Sequence, residues 1–280
     1  MSASTPFSFA NSPSSGSAPR FRAVLVTGAA KRIGRGVALE FARQGWDVAV
    51  HYGGSEREAR ETVADIEALG RRAVALKADL GVEAEVGRLV PACIEAFGGL
   101  NCVVNCASRF DEDTAIDFGY AKLLEMTAVN VAAPLTLARM LHEIVPDAAT
   151  ESDDLRGVVI NVLDQKLYNM NPDYLSYTLT KAALENATVA LAQALGPKLR
   201  VVGLAPGLTL ISTGQTPASF ESAHRVTPLN RASTVEDVAQ AACYLANAHG
   251  VTGTTLVVDG GQHLVPSPRD VMYMIGTRQP

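Results

Sequence analysis

Tyr177 and Lys181 stand four residues apart, so on a helix they share one face, and that pairing can move a proton. A tyrosine hydroxyl ordinarily ionises near pH ~10, and an ammonium held close favours the phenolate and eases proton release nearer neutrality. Tyr177 is the candidate proton donor and Lys181 its electrostatic partner. Thirteen residues ahead of Tyr177 is Asp164. An ionised carboxylate cannot serve a substrate carbonyl as an oxyanion donor. A carboxylate can relay a proton or accept a hydrogen bond from a substrate N–H, and both suit reduction of a ring C=N.

A second cluster suits an anion. The stretch Thr27-Gly28-Ala29-Ala30-Lys31-Arg32-Ile33-Gly34 joins an apolar run to a helical pattern. A helix N-terminus offers free N–H groups and partial positive charge to a dinucleotide pyrophosphate. Gly28 and Gly34 meet the need for a tight turn and close backbone approach. Lys31 and Arg32 are cations at a helix start, where the dipole disfavours them, and a bound anion accounts for them. About 20 residues on, where an acid would grip the ribose 2′-OH of NAD, the chain reads His51-Tyr52-Gly53-Gly54-Ser55. With no acid there and with Arg32, His51 and Ser55 as donors, a 2′-phosphate fits, so the expected cofactor is NADPH/NADP+. Glu56 is the carboxylate nearby, but it opens a helix, where negative charge is favoured in any case.

Such residues need a scaffold that alternates strand and helix, and the hydrophobic pattern supplies one. Strands are expected at 23–27, 47–52, 72–77, 101–105, 157–163, 201–204 and 255–258. Helices are expected after Gly34 up to Gly45 and at 56–69, 83–97, 120–144, 175–195 and 235–247. Runs such as Val158-Val159-Ile160 are apolar on both faces, as parallel strands covered on each side must be. The prediction is a single α/β domain of Rossmann type, a doubly wound sheet of about seven parallel strands, over residues 21–264. With 48% hydrophobic and 19% charged residues in 280, the chain can fill one large core.

Residues 1–20 are rich in Ser, Pro, Ala and Asn, with no apolar h-region, and read as a disordered tail. The formal charge of −5 gives no overall reason to bind nucleic acid or an anionic membrane. No apolar run reaches the ~18 residues of a membrane span, and since the tail does not read as a signal peptide the expected location is cytoplasmic. Four cysteines, Cys93, Cys102, Cys106 and Cys243, lack zinc-ligand spacing. Reduced thiols and no metal are expected.

Four motifs, Thr27-Gly28-xxx-Arg32-Ile33-Gly34, Asn105-Cys106-Ala107-Ser108, Tyr177-xxx-Lys181 and Pro206-Gly207, occur in an order and spacing that resemble the short-chain dehydrogenase/reductase family over nearly the whole chain. Arg32 in place of the middle glycine, the His51-Tyr52 strand ending, and Asp164 where most members carry serine resemble its pteridine reductase branch, including dihydromonapterin-type reductases. The resemblance implies that Lys181 also bonds the nicotinamide ribose. It implies that Asn130 holds a water linking the lysine to bulk proton supply; an Asn in mid-helix would also distort the helix locally. Asp79 and Leu80 resemble the pair that contacts adenine, and Asn105, Ala107, Ser108, Pro206 and Gly207 should line the cofactor. For the substrate, Phe110 falls where that branch stacks a pterin, with Arg32, Ser108, Tyr174 and Leu208 beside it and a lid over 208–226. The stretch 265–280 is expected at a subunit interface of a homotetramer.

The function expected is NADPH-dependent reduction of a pterin-like C=N heterocycle, a small-molecule substrate. Two alternatives stay open. One is a ketone reductase of 3-oxoacyl type, against which Asp164 argues. The other is a non-enzymatic NADP(H)-binding regulator on the same fold, against which the intact Tyr177, Lys181 and Asn130 argue.

Overall fold

Strands apolar on both faces have to be sandwiched, and the computed structural model, which describes residues 22–211, 220, 227–231, 233–270 and 273, shows how. The predicted tail at 1–20 and residues 212–219 and 221–226 of the predicted lid lie outside the described residues. The strands are β1 (Ala23–Val26), β2 (Asp47–Tyr52), β3 (Ala73–Lys77), β4 (Cys102–Asn105), β5 (Gly157–Val162), β6 (Leu199–Pro206) and β7 (Thr255–Val258). They form one parallel sheet in the order β3-β2-β1-β4-β5-β6-β7. The order reverses beside β1, between β1 and β4. In a doubly wound sheet a ligand binds at that switch point, outside the C-terminal strand ends.

The helices are α1 (Arg32–Arg43), α2 (Glu56–Ala68), α3 (Glu83–Val86), α4 (Leu89–Phe97), α5 (Tyr120–Thr127), α6 (Ala133–Ile144), α7 (Leu175–Leu195) and α8 (Val235–Asn247). Successive strand residues point to opposite faces, which produces two cores. Val24, Val26, Val48, Val50, Val104 and Ile160 pack with Val37 and Phe41 of α1 and Val238 and Leu245 of α8. Leu25, Ala49, Val103 and Val159 pack with Leu89 and Cys93 of α4 and Leu137 and Leu141 of α6. Each fully buried Val, Leu or Ile contributes roughly 1.5–3 kcal/mol. Among the described residues no helix is long and apolar enough to cross a membrane.

Two predicted elements are divided. The helix expected over 83–97 breaks at Gly87 and Arg88, between α3 and α4. The one expected over 120–144 contains a π-turn, Ala128–Ala132, centred on Asn130. Pro134 lies four residues after Asn130 and has no N–H for its carbonyl, so an α-helical ladder cannot run unbroken through this point. Strand β6 extends two residues beyond the predicted strand at each end.

Candidate active site

Thr27 follows strand β1, and its buried hydroxyl accepts the N–H groups of Cys106 and Ala107 at 3.0 Å each. This ties the first turn to the end of β4. Gly28 follows with φ +67°, and a Cβ there would lie 3.0 Å from the Ala107 Cα. A Cβ on Gly34 would lie 2.2 Å from the Gly28 carbonyl oxygen, so no side chain fits at that position either. Arg32 occupies the left-handed region, φ 57°. A non-glycine residue there costs roughly 1–2 kcal/mol, a strain of the kind that clusters at ligand sites. Its guanidinium donates to the Ile211 carbonyl at 3.1 and 3.2 Å, bridging the turn to the segment after β6.

The clefts sit where the motifs predict. One of about 410 Å³ is lined by Gly28, Lys31, Arg32, Ile33, Gly34, Cys106, Ala107, Ser108, Asp164, Tyr177, Lys181, Pro206 and Gly207, among others. A second of about 210 Å³ shares Arg32, Ile33, Asp164, Tyr177 and Gly207 with the first and adds Phe110, Gln165, Lys166, Leu208, Thr209, Leu210 and Asp270. Tyr177 and Asp164 therefore stand at the junction of a long cleft and a smaller one. Leu208 is held by its N–H on the Gln262 side chain at 2.9 Å.

At that junction the Tyr177 hydroxyl donates to Oδ2 of Asp164 at 2.8 Å, and the Lys166 N–H donates to Oδ1 at 2.8 Å. Asp164 thus both caps a short 3-10 helix, Gln165–Tyr168, and holds the tyrosine. Burial raises the Asp164 pKa above the ordinary carboxylate range, against the hydrogen bonds and the charge of Lys181. The Tyr177 pKa, expected to be lowered, is raised instead. Burial, then the adjacent Asp164, push the phenol well above its usual value. Lys181 donates to the Val162 carbonyl at 2.7 Å and lies 5.7 Å from the Tyr177 ring centroid. Burial brings its own pKa down to about 8. Tyr177 is accordingly a loaded donor rather than a pre-formed phenolate.

Several expected roles change. The His51 ring was expected to bind a 2′-phosphate, but it is 2% exposed and both its nitrogens are engaged. Gly28 N–H donates to Nδ1 at 3.0 Å and Nε2 meets the Ala78 carbonyl at 3.1 Å. Burial lowers its pKa, so the neutral Nε2–H form pins the glycine turn. The Tyr52 and Leu80 side chains are spent in the two cores. Asn105 turns inward too, donating to Asn161 at 2.8 Å, and Asn161 in turn donates to Thr188 at 2.9 Å.

The Asn130 side chain has its donors and acceptor committed within the protein. Its amide donates to the Arg109 carbonyl and to Thr180 Oγ1 at 2.9 and 3.0 Å. Its oxygen accepts from Arg109 N–H and Ser108 Oγ at 2.7 and 3.2 Å. It clamps the loop after β4 to α7. Tyr174, expected in the cleft, is 4% exposed and lies behind Phe110, which stacks on it with centroids 4.4 Å apart and meets Tyr177 edge-on at 4.6 Å. The left-handed Tyr174 backbone, φ 54°, ends the approach to α7, and its ring packs in one cluster with Met126 and Tyr177.

The residues fit a pyridine dinucleotide. Helix α1 has no acid in its first turn and no side-chain cap, which leaves its N-terminal N–H groups toward the long cleft. No carboxylate ends β2, and Ser55 makes no capping bond to α2. Lys31 lies 3.6 Å from Glu58, and Asp79 accepts the Gly81 N–H at the exposed end of β3. Among the described residues no cluster of His, Cys, Asp or Glu could hold a metal, and all four cysteines are free. Sequence reasoning missed Gln165, Lys166 and Asp270 in the small cleft, while Thr209 and Leu210 belong to the stretch expected as a lid. Only the neighbourhood of Asp164 could have drawn attention to Lys166, and nothing local marked Asp270.

Comparison with known proteins gives the same architecture. Residues 28–263 match the family model described as Enoyl-(Acyl carrier protein) reductase. The chain is similar to 3beta-hydroxysteroid dehydrogenase 1 of Eggerthella lenta, 32% identical over 257 residues that cover 88% of this chain and 95% of that protein. Among solved structures it resembles FolM alternative dihydrofolate reductase 1 from Brucella canis complexed with NADP, 36% identical with TM-score 0.83, covering 90% of this chain and 97% of that one. It also resembles the promiscuous reductase LugOII, which catalyses keto-reduction at C1 during lugdunomycin biosynthesis, at 32% identity and TM-score 0.79, covering 88% and 100%.

Proposed function

The chain belongs to the short-chain dehydrogenase/reductase family, and from that premise we propose that it is an NADPH-dependent reductase of a pterin-like C=N heterocycle. Its relatives include both a dihydrofolate reductase solved with NADP and a keto-reductase, so fold and family leave the substrate open. One observation carries the choice: the Tyr177 hydroxyl rests on Asp164, a carboxylate of raised pKa, at the junction of the two clefts. Both a carbonyl oxygen and a ring nitrogen take up a proton with the hydride, but a carboxyl group beside the tyrosine can also accept from a substrate N–H, which a heterocycle offers and a ketone does not.

When bound, the nicotinamide supplies a hydride to the substrate carbon. Gly28, Ile33 and Gly34 would receive its pyrophosphate at the head of α1, with Lys31, Arg32 and Ser55 nearest a 2′-phosphate. Lys181 would hold the nicotinamide ribose, with its ammonium charged below pH about 8. Tyr177 passes its Oη proton to the ring nitrogen, and Asp164, protonated more readily than a free carboxylate, returns a proton to the phenolate across the 2.8 Å bond. Phe110, steadied by Tyr174 and Tyr177, offers an aromatic surface to a flat ligand.

NADPH oxidation should be followed with a 7,8-dihydropterin and with a 3-oxoacyl thioester. Turnover of the pterin is expected, with kcat in Tyr177→Phe falling about 10²–10⁴-fold as for loss of a general acid. Consumption with the thioester and none with any pterin would overturn the pterin reading and leave the family assignment intact.

A further inference from the structure

The small cleft has a wall that proton transfer does not explain. Lys166, two residues beyond Asp164, is 3% exposed, and a buried ammonium must be compensated. Its Nζ donates to the Asp173 carbonyl at 2.5 Å, lies 5.3 Å from the Tyr174 ring centroid, and is 3.4 Å from Oδ2 of Asp270. Asp270 comes from the segment after β7, 104 residues away in sequence.

That segment is fastened to the chain's own body. Asn169 donates to the Val265 carbonyl at 2.5 Å and accepts the Ser267 N–H at 3.3 Å. Arg269 grips the buried Asp173 through Nε and Nη2 at 2.9 and 2.8 Å, and the Asp270 N–H donates to the same carboxylate at 2.6 Å. Beyond it, the Tyr273 hydroxyl bonds Glu112 and lies 3.3 Å from the Tyr174 hydroxyl. Arg269 and Asp173 suffice as a staple. A staple does not account for a second ion pair, Lys166 with Asp270, whose members both line the cleft that holds Asp164, Tyr177 and Phe110.

We propose that Asp270 is a specificity-determining residue, its carboxylate held by Lys166 so as to accept hydrogen bonds from N–H or amino groups of a flat heterocycle. The segment 265–270 is then part of the substrate site. This assignment rests on the C=N heterocycle reading above and says which end of that chemistry the cleft recognises. A ketone lacking N–H donors gains nothing from Asp270.

Steady-state kinetics on the full chain test it. A hydrogen bond to a charged acceptor is worth about one to two decades of affinity. Asp270→Asn should raise KM for a 7,8-dihydropterin about tenfold, with kcat within about twofold and the NADPH Kd unchanged, and should leave KM for a ketone substrate unmoved. Arg269→Ala, which loosens the wall through a half-exposed side chain outside the cleft, should shift the pterin KM in the same direction. If Asp270→Asn also loses NADPH binding, Arg269→Ala decides alone. An unchanged pterin KM, or an equal rise for pterin and ketone, overturns the assignment while the pterin reading stands. Absence of pterin turnover in the wild type overturns both.

Discussion

A tyrosine that donates its proton to a carboxylate is a poorer acid than one facing water, and Tyr177 illustrates why a lysine on the same helical face does not settle the matter. Burial and Asp164 act in one direction on the phenol, and Lys181, bonded to the Val162 carbonyl, does not reverse them. The carboxylate and the phenol share a hydrogen bond and titrate as a pair, so their protons belong to the couple. The raised pKa of Asp164 keeps its protonated, relay-competent form present to higher pH than a free carboxylate would, and that form is lost as pH rises through it. Lys181 loses its charge above about pH 8. The kcat/KM for reduction should therefore be highest on the acid side and fall with loss of the Asp164 proton and, near pH 8, with loss of the Lys181 charge. In Asp164→Asn the fall due to Asp164 should vanish and the one near pH 8 remain, read from pH–rate profiles at saturating NADPH. Superimposable profiles for the two proteins would exclude a relay through Asp164.

At the scale of elements, the π-turn between α5 and α6 does for the site what a regular helix could not. Pro134 interrupts the helical ladder, and Asn130 in the widened turn reaches both the loop after β4 and Thr180 on α7. The residue that the motif marks thus acts through position, joining the loop that carries Ser108 and Phe110 to the helix that carries Tyr177 and Lys181. Replacing it leaves the Arg109 backbone groups and Thr180 with buried unmet bonds at ~1–3 kcal/mol for each group stranded. Asn130→Ala should lower the urea midpoint by an amount equivalent to about 3 kcal/mol with the m-value unchanged. Retention of wild-type stability would mean that the clamp is replaceable by water. His51 is the counterpart on the cofactor side, a motif residue whose ring braces Gly28 and Ala78 rather than facing the ligand.

For the molecule as a whole, the sheet order sets the two clefts at the β1–β4 switch point, and the segment after β7 returns to wall one of them. A ligand that binds only the folded protein stabilises all of it, by about 2.7 kcal/mol at a hundredfold excess over Kd. At roughly 2–4 °C per kcal/mol for a chain approaching this size, NADPH should raise the melting temperature by about 5–10 °C. NADH at the same concentration should raise it less, since β2 ends without a carboxylate and Lys31 and Arg32 line the long cleft. Equal shifts for the two would contradict the expected cofactor choice, with Glu58 beside Lys31 as the structural reason. What the amino-acid sequence determined by itself was whatever is local. The period of strands and helices, the glycines of the first turn, and the four-residue spacing of Tyr177 and Lys181 are each fixed by chain geometry over a few residues. Tertiary structure decided what depends on long-range packing and on the side to which a ring or carboxylate turns. It gave Asp164 its partner, occupied both nitrogens of His51, withdrew Tyr174 behind Phe110, and brought Asp270 across 104 residues to Lys166. Burial then set the proton affinities, because the cost of a charge depends on everything packed around it and not on its neighbours in the chain.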